Sequence, residues 1–236
     1  MNVVVFGNKF NRGINGIVDF VTKPPITGTF VPLEIALNTS YDTDAHFVPY
    51  YLGKRSTKAP YSFCRVNKRF GNPHYEVFVT CQVFDVDMPD HKPLELKWAT
   101  DIVELIFKHT EAKFCYLTNN GLRFIIEYPF PIECYKHEEM MRESITAFRE
   151  FGIPCDWLFD YTRYFRLPFV KRDNQYTKSE IISNGNYKAI CKLWRDLQEE
   201  ETEVRNLQSG RILRSNPRRR GVGGRRKKQS NGKSQG

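Results

Sequence analysis

A transmembrane helix needs about 18 or more consecutive apolar residues, and no such run occurs anywhere in the chain. The N-terminal Met-Asn-Val-Val-Val-Phe lacks a basic region, a long apolar stretch and a small-residue cleavage site, so no secretory signal is expected there. There is no CxxC pair and no internal repeat. The six cysteines, at 64, 81, 115, 134, 155 and 191, are scattered through apolar segments. In a chain of 236 residues they read as reduced, buried thiols of an intracellular protein, cytoplasmic or nuclear. Cys134 and His137 are spaced for half of a zinc site, but no second half accompanies them.

Acidic residues are missing altogether from Arg205 to Gly236, where 11 of the 36 Lys and Arg fall. The residues before that stretch therefore carry 25 basic against 27 acidic groups, a net of −2 under an overall +9. The expected organisation is a nearly neutral folded domain over residues 1–206 and a disordered basic tail over 207–236. The tail is rich in Gly, Arg and Lys and too poor in apolar residues to offset its ordering entropy. Its composition suits non-specific attraction to phosphate, or a nuclear address.

What is present, in the body of the chain, is a mixture of strand and helix patterns. The first 80 residues read as strand-rich, with Val3-Val4-Val5-Phe6 as a first β-run and Gly7, Gly13, Gly16 and Pro24-Pro25 as punctuation. Residues 75–87 are dense in β-branched and aromatic side chains and read as a strand. Leu94, Trp98, Ile102, Leu105 and Ile106 have helical spacing, which predicts a helix up to His109. Residues 110–129 read as strand, turn and strand, with Asn120-Gly121 suited to a hairpin needing φ > 0. A helix is expected over 138–151 with Gly152 as its C-cap. A last helix is expected over 179–206, interrupted near Asn184-Gly185-Asn186. Hairpins rather than strict βαβ alternation make the expected class α+β.

Three constellations could carry chemistry. Asp85 and Asp87 are separated by one residue at the end of an apolar strand, so period-2 geometry puts both on one face and Val86 on the other. Two adjacent carboxylates repel unless a cation lies between them, and a hard divalent ion, Mg²⁺ or Mn²⁺, suits such oxygen donors. A lone DxD also occurs in sugar-nucleotide enzymes and at ordinary strand-to-loop transitions. Second, Thr118-Asn-Asn-Gly-Leu-Arg123 is a turn of small polar residues that leads Arg123 into a strand, where it could clamp a triphosphate. Third, residues 155–172 hold Asp156 and Asp160 followed by Arg163, Arg166, Lys171 and Arg172, with aromatics between. Arg163 and Arg166 point to opposite faces of an extended chain, so at least one must meet a partner inside the molecule or in a cleft.

In this order the three pieces resemble the catalytic core of the archaeo-eukaryotic primases, the primase-polymerase superfamily. The family's apolar strand ending in DxD is matched by Val83-Phe-Asp85-Val-Asp87. Its small-residue turn and strand of the form S-x-G-x-H is matched by Thr118-Asn-Asn-Gly121-Leu-Arg123. Its third acidic position with an Arg-x-x-Arg-Leu segment is matched by Asp156 and Arg163-Tyr-Phe-Arg166-Leu-Pro. The resemblance spans residues 75–175, and the histidine of the second motif is Arg123 here. It implies an α/β unit joined to an RNA-recognition-motif-like unit with the active site between them. It implies Mg²⁺ or Mn²⁺ held by Asp85, Asp87 and Asp156, with Asp160 as the alternative third ligand. It further implies nucleotide-phosphate contacts from Arg123, Arg163, Arg166 and Lys171. The implied activity is that of a DNA primase or primase-polymerase, a nucleotidyltransferase acting on nucleoside triphosphates along single-stranded DNA. The alternative is a non-catalytic nucleic-acid-binding replication protein that keeps the shell. Template bases could stack on Tyr50, Tyr51, Tyr61 and Phe63, which lie amid Lys54, Arg55, Lys58 and Arg65. No zinc knuckle or helicase domain is recognisable, so a helicase or accessory primase subunit, where initiation needs one, comes from another chain. No membrane partner is expected.

Overall fold

A computed structural model describes residues 1–6, 28–41, 44–63, 71–88, 92–172, 175–176 and 180–214. In chain order its elements are β1 (Asn2–Phe6), β2 (Thr29–Pro32), α1 (Leu33–Asn38), β3 (His46–Val48), β4 (Tyr50–Lys54), β5 (Pro60–Ser62), β6 (Tyr75–Asp87), α2 (Leu96–His109), β7 (Phe114–Leu117), β8 (Gly121–Glu133), α3 (Cys134–Glu150), β9 (Phe165–Arg166), β10 (Lys171–Arg172), β11 (Gln175–Tyr176), β12 (Ile182–Ser183) and α4 (Tyr187–Arg214). The class is α+β, with four helices among the described residues. Two antiparallel sheets dominate: one of six strands in the order β12-β7-β8-β6-β4-β5 and one of four in the order β2-β1-β3-β9. A short β10–β11 ladder is separate from both.

Strand β6 organises the molecule because both its faces are apolar. Its even positions Phe84 and Val86, with Leu122, Phe124 and Cys115 of β8 and β7, pack against Ile102, Val103 and Ile106 of α2 and Met141, Ile145 and Phe148 of α3. Ile190, Cys191 and Trp194 at the start of α4 join this cluster. The odd positions Cys81 and Val83, with Phe114, Tyr116 and Ile125, pack against Val3, Val5, Phe47 and Phe165 of the four-stranded sheet and Leu33, Ala36 and Leu37 of α1. The layers are therefore helices, large sheet, small sheet, all within residues 1–196, which form one compact unit. A second unit begins at Leu197 within α4. No helix among the described residues is long and apolar enough to cross a membrane.

The last helix differs from its expected course. Ile182 does not belong to an interrupted helix but pairs with Cys115 at the edge of β7, where it is fully buried. Residues 184–186 turn the chain, and Asn186 closes the turn by accepting the Ser183 N–H and donating to the Ile181 carbonyl. The Asn-Gly-Asn signal is thus a strand-to-helix turn, and α4 then runs unbroken past residue 206 to Arg214. Helix α3 starts at Cys134, four residues earlier than expected. Helix α1 was not legible, being six residues long. Gly7, Gly13, Gly16, Pro24-Pro25 and the tail from residue 215 lie outside the described residues.

Candidate active site

The site grows from one row across three strands. Tyr116 of β7 is the register partner of Arg123 of β8, and Arg123 is the partner of Asp85 of β6. One row deeper on the same face stand Phe114, Ile125 and Val83, all core. The polar row therefore caps an apolar wall, and its charges must satisfy one another. Arg123 Nε donates to Asp85 Oδ1 at 2.5 Å, with the two side chains only 13% and 18% exposed. Arg123 Nη1 donates to Tyr116 Oη and to the Arg166 carbonyl, each at 3.2 Å. Tyr116 Oη donates to the same carbonyl at 3.0 Å. Burial alone pulls the Arg123 pKa down, but the Tyr116 hydroxyl and the Asp85 carboxylate outweigh it and hold the group above its ordinary value. Burial likewise pushes the Tyr116 hydroxyl up, against the pull of Arg123.

Asp87 continues the same face and is opposite Gly121 in the ladder. A Cβ at Gly121 would collide with the Val86 carbonyl oxygen and crowd Asp87. The glycine is needed for close strand approach rather than for a positive φ, which among the described glycines only Gly152 adopts. Gly121→Ala is therefore expected to cost about 1–3 kcal/mol of stability as an overpacking substitution, read as a lower urea midpoint at unchanged slope. A midpoint equal to wild type would mean that the ladder spreads at no cost.

Asp156 reaches this row through the end of α3. Gly152 has φ +85°, its N–H bonds to the Arg149 carbonyl, and the Ile153 N–H bonds to the Phe148 carbonyl at 2.9 Å. This is a Schellman ending, and it turns the chain back toward β6. The pairing of β4 with β6 stops at Val79, which leaves that edge of β6 open. Cys155 bridges to Val86 there, and the Asp156 N–H donates to the Asp85 carbonyl at 2.9 Å. Asp160 is differently placed: its Oδ1 accepts from the Thr162 N–H and Oγ1 at 2.9 and 2.8 Å, holding its own loop.

A cleft of about 210 Å³ opens at this end of the sheet. Asp87, Tyr116, Arg123 and Arg166 line it, together with residues 118–120 and Leu167-Pro168. Arg166 is aimed by Asp44, which accepts from its Nε at 2.7 Å and its Nη2 at 3.2 Å. Arg163 is exposed and Lys171 belongs to the β10 ladder; neither lines this cleft. The structure thus brings Asp87, Arg123 and Arg166 to one cleft, with Asp85 paired to Arg123 and Asp156 tied to β6 through its backbone N–H. The sequence reading missed Tyr116 and Asp44. Tyr116 lies in an ordinary apolar strand, and Asp44 is 122 residues from the arginine it holds, so no local signal marks either.

The donors for a divalent ion are of the right kind: three carboxylate residues, two on one strand face and the third bonded to that strand's backbone. Asp85 is engaged by Arg123, however, and among the described residues no group of three or more His, Cys, Asp or Glu side chains is gathered closely enough to hold a metal. Cys134 and His137 form no such group: Cys134 Sγ lies 3.6 Å from Glu76 Oε1, and His137 Nδ1 lies 3.0 Å from Tyr128 Oη. Two of the aromatics expected to meet template are core instead, Tyr50 at 1% and Tyr51 at 3% exposure, because β4 is an inner strand of the large sheet. Tyr61 is exposed, Phe63 stacks on Phe30, and Arg65 lies outside the described residues.

Comparison of the chain with protein-family models, with curated proteins and with solved structures finds no match.

Proposed function

We propose that the chain is a primase-polymerase type nucleotidyltransferase, which joins nucleoside triphosphates along a single-stranded DNA template. The observation that carries this reading is the convergence of Asp85, Asp87 and Asp156 on one end of β6, beside a cleft that Arg123 and Arg166 enter. Mg²⁺ or Mn²⁺ held by the three aspartates would stabilise the charge that develops on the attacking and leaving oxygens. The other steps belong to the chain. Arg166, held in a fixed fork by Asp44, presents a planar donor set to the triphosphate. Arg123 would exchange the Asp85 carboxylate for a phosphate, which would keep the guanidinium paired and leave the aspartate able to hold the ion. Residues 118–120 line the same cleft, and their small polar side chains let phosphate approach closely. The basic tail adds affinity for the template that weakens as salt rises.

A second reading is favoured by one observation. The Asp85–Arg123 pair already neutralises the carboxylate, as suits a non-catalytic nucleic-acid-binding protein with the same shell. Primer synthesis with Mn²⁺ on single-stranded DNA separates the two. Wild type is expected to make product, and the Asp85→Ala/Asp87→Ala double variant none. No product from either protein, with salt-sensitive DNA binding intact in both, would move the conclusion to the second reading.

A further inference from the structure

Within the second unit α4 runs from Leu197 to Arg214, about five turns of helix. Every residue from 199 to 205 is exposed. A helix of that length is marginal in water on propensity alone and gains most of its stability from a covered apolar face. The sequence supplies such a face. Leu197 and Val204 stand two turns apart on one side, 43% and 52% exposed, and Leu207 takes the next position of the same stripe. The whole stripe is Leu197, Glu200, Val204, Leu207, Arg211 and Arg214, with steps that alternate between three and four residues. That is the spacing of a heptad seam, whose residues face a second helix.

The charges in this stripe decide what covers it. Four of the five residues 199–203 are acidic, whereas Arg205, Arg211 and Arg214 follow with no acid among them. Two copies laid parallel would set Glu200 against the partner's Glu200 and Arg211 against the partner's Arg211, and like charges at a seam repel. Two copies laid antiparallel, about a two-fold axis midway between Val204 and Leu207, do the reverse. Val204 then meets the partner's Leu207 and Glu200 meets the partner's Arg211, each contact occurring twice by symmetry. Leu197 falls opposite the partner's Arg214, whose aliphatic stem can cover it. We propose that this face of α4 is a self-association surface, on which a second copy of the chain docks antiparallel. Its centre is apolar and a Glu200–Arg211 ion pair closes each end. The pairing is independent of what the candidate site does.

Sedimentation equilibrium of the full chain over a concentration series tests this. The protein is treated with nuclease first, so that nucleic acid held by the basic tail does not bridge two copies. Wild type is expected to approach twice the chain mass. Glu200→Arg and Arg211→Glu each turn both ion pairs into repulsions and should weaken association about 10-fold. The Glu200→Arg/Arg211→Glu double variant restores both pairs with their signs reversed and should associate like wild type. Thermal unfolding of the compact unit is expected to be the same in all four proteins. A wild type that stays monomeric throughout overturns the proposal. So does a dimer that neither single variant weakens, which would place the contact on another face or make the pair parallel. A dimer that the single variants weaken and the double variant fails to restore overturns the antiparallel pairing. A wild type that doubles its mass and makes no primer sinks the catalytic reading and leaves this surface standing.

Discussion

Arg123→Met is expected to lower stability by about 3–5 kcal/mol, among the largest effects of any single substitution in the chain. The cost does not come from losing an attractive pair. It comes from leaving the Asp85 carboxylate on a wall of core residues with no counter-charge, in a site where both side chains are more than four-fifths buried. The Tyr116 hydroxyl and the Arg166 carbonyl also lose the donor they share. Replacing both partners, as Asp85→Leu/Arg123→Met, should recover most of the loss, because a matched apolar pair has no desolvated charge to strand. Urea unfolding of wild type, both single variants and the double variant closes the cycle. Equal midpoints for wild type and Arg123→Met would mean that water reaches Asp85 freely. Arg123 would then be a surface clamp rather than the keystone of the row.

Why this pair escaped the sequence reading is instructive. Asp85 and Arg123 were each singled out, for separate jobs, since local patterns show which face of a strand a residue occupies. They do not show which residue stands opposite on a strand 38 positions away. Register supplies that, and the register here depends on Gly121 allowing β8 to close against Val86. Period-2 alternation in residues 75–87 was sufficient to place Asp85 and Asp87 together and Val86 in the core. The Gly152 cap was legible for a similar reason, since a glycine after a helical pattern has one common use. Its consequence was not legible, because delivery of Asp156 to the open edge of β6 depends on where β4 stops pairing. The expectation that at least one arginine of the third motif meets a partner inside the molecule or in a cleft found its object in Arg166, which Asp44 holds at the cleft. Tyr50 and Tyr51 misled because aromatics beside lysines look alike whether the strand is at an edge or inside the sheet.

The two aspartates of the third motif are expected to separate cleanly. Under the proposed nucleotidyltransferase function, Asp156→Asn should reduce transfer by about 10³-fold, a loss of about 4 kcal/mol of transition-state stabilisation. It should keep the docking of this segment on β6, because that bond is made by the Asp156 backbone N–H, which asparagine retains. Asp160→Asn should behave in the opposite sense. Its carboxylate accepts two hydrogen bonds within one turn, from the Thr162 N–H and hydroxyl. Replacing a charge-assisted acceptor there by a neutral one should cost about 1 kcal/mol of stability. Transfer should remain within about 3-fold of wild type, because a loss of that size in a loop cap does not reach the row that Asp85 and Arg123 form. The measurement is primer extension at saturating Mn²⁺ together with urea midpoints for both variants. If Asp160→Asn loses transfer and Asp156→Asn keeps it, the third ligand is Asp160. The bridge from Cys155 to Val86 would then serve only to close the sheet edge.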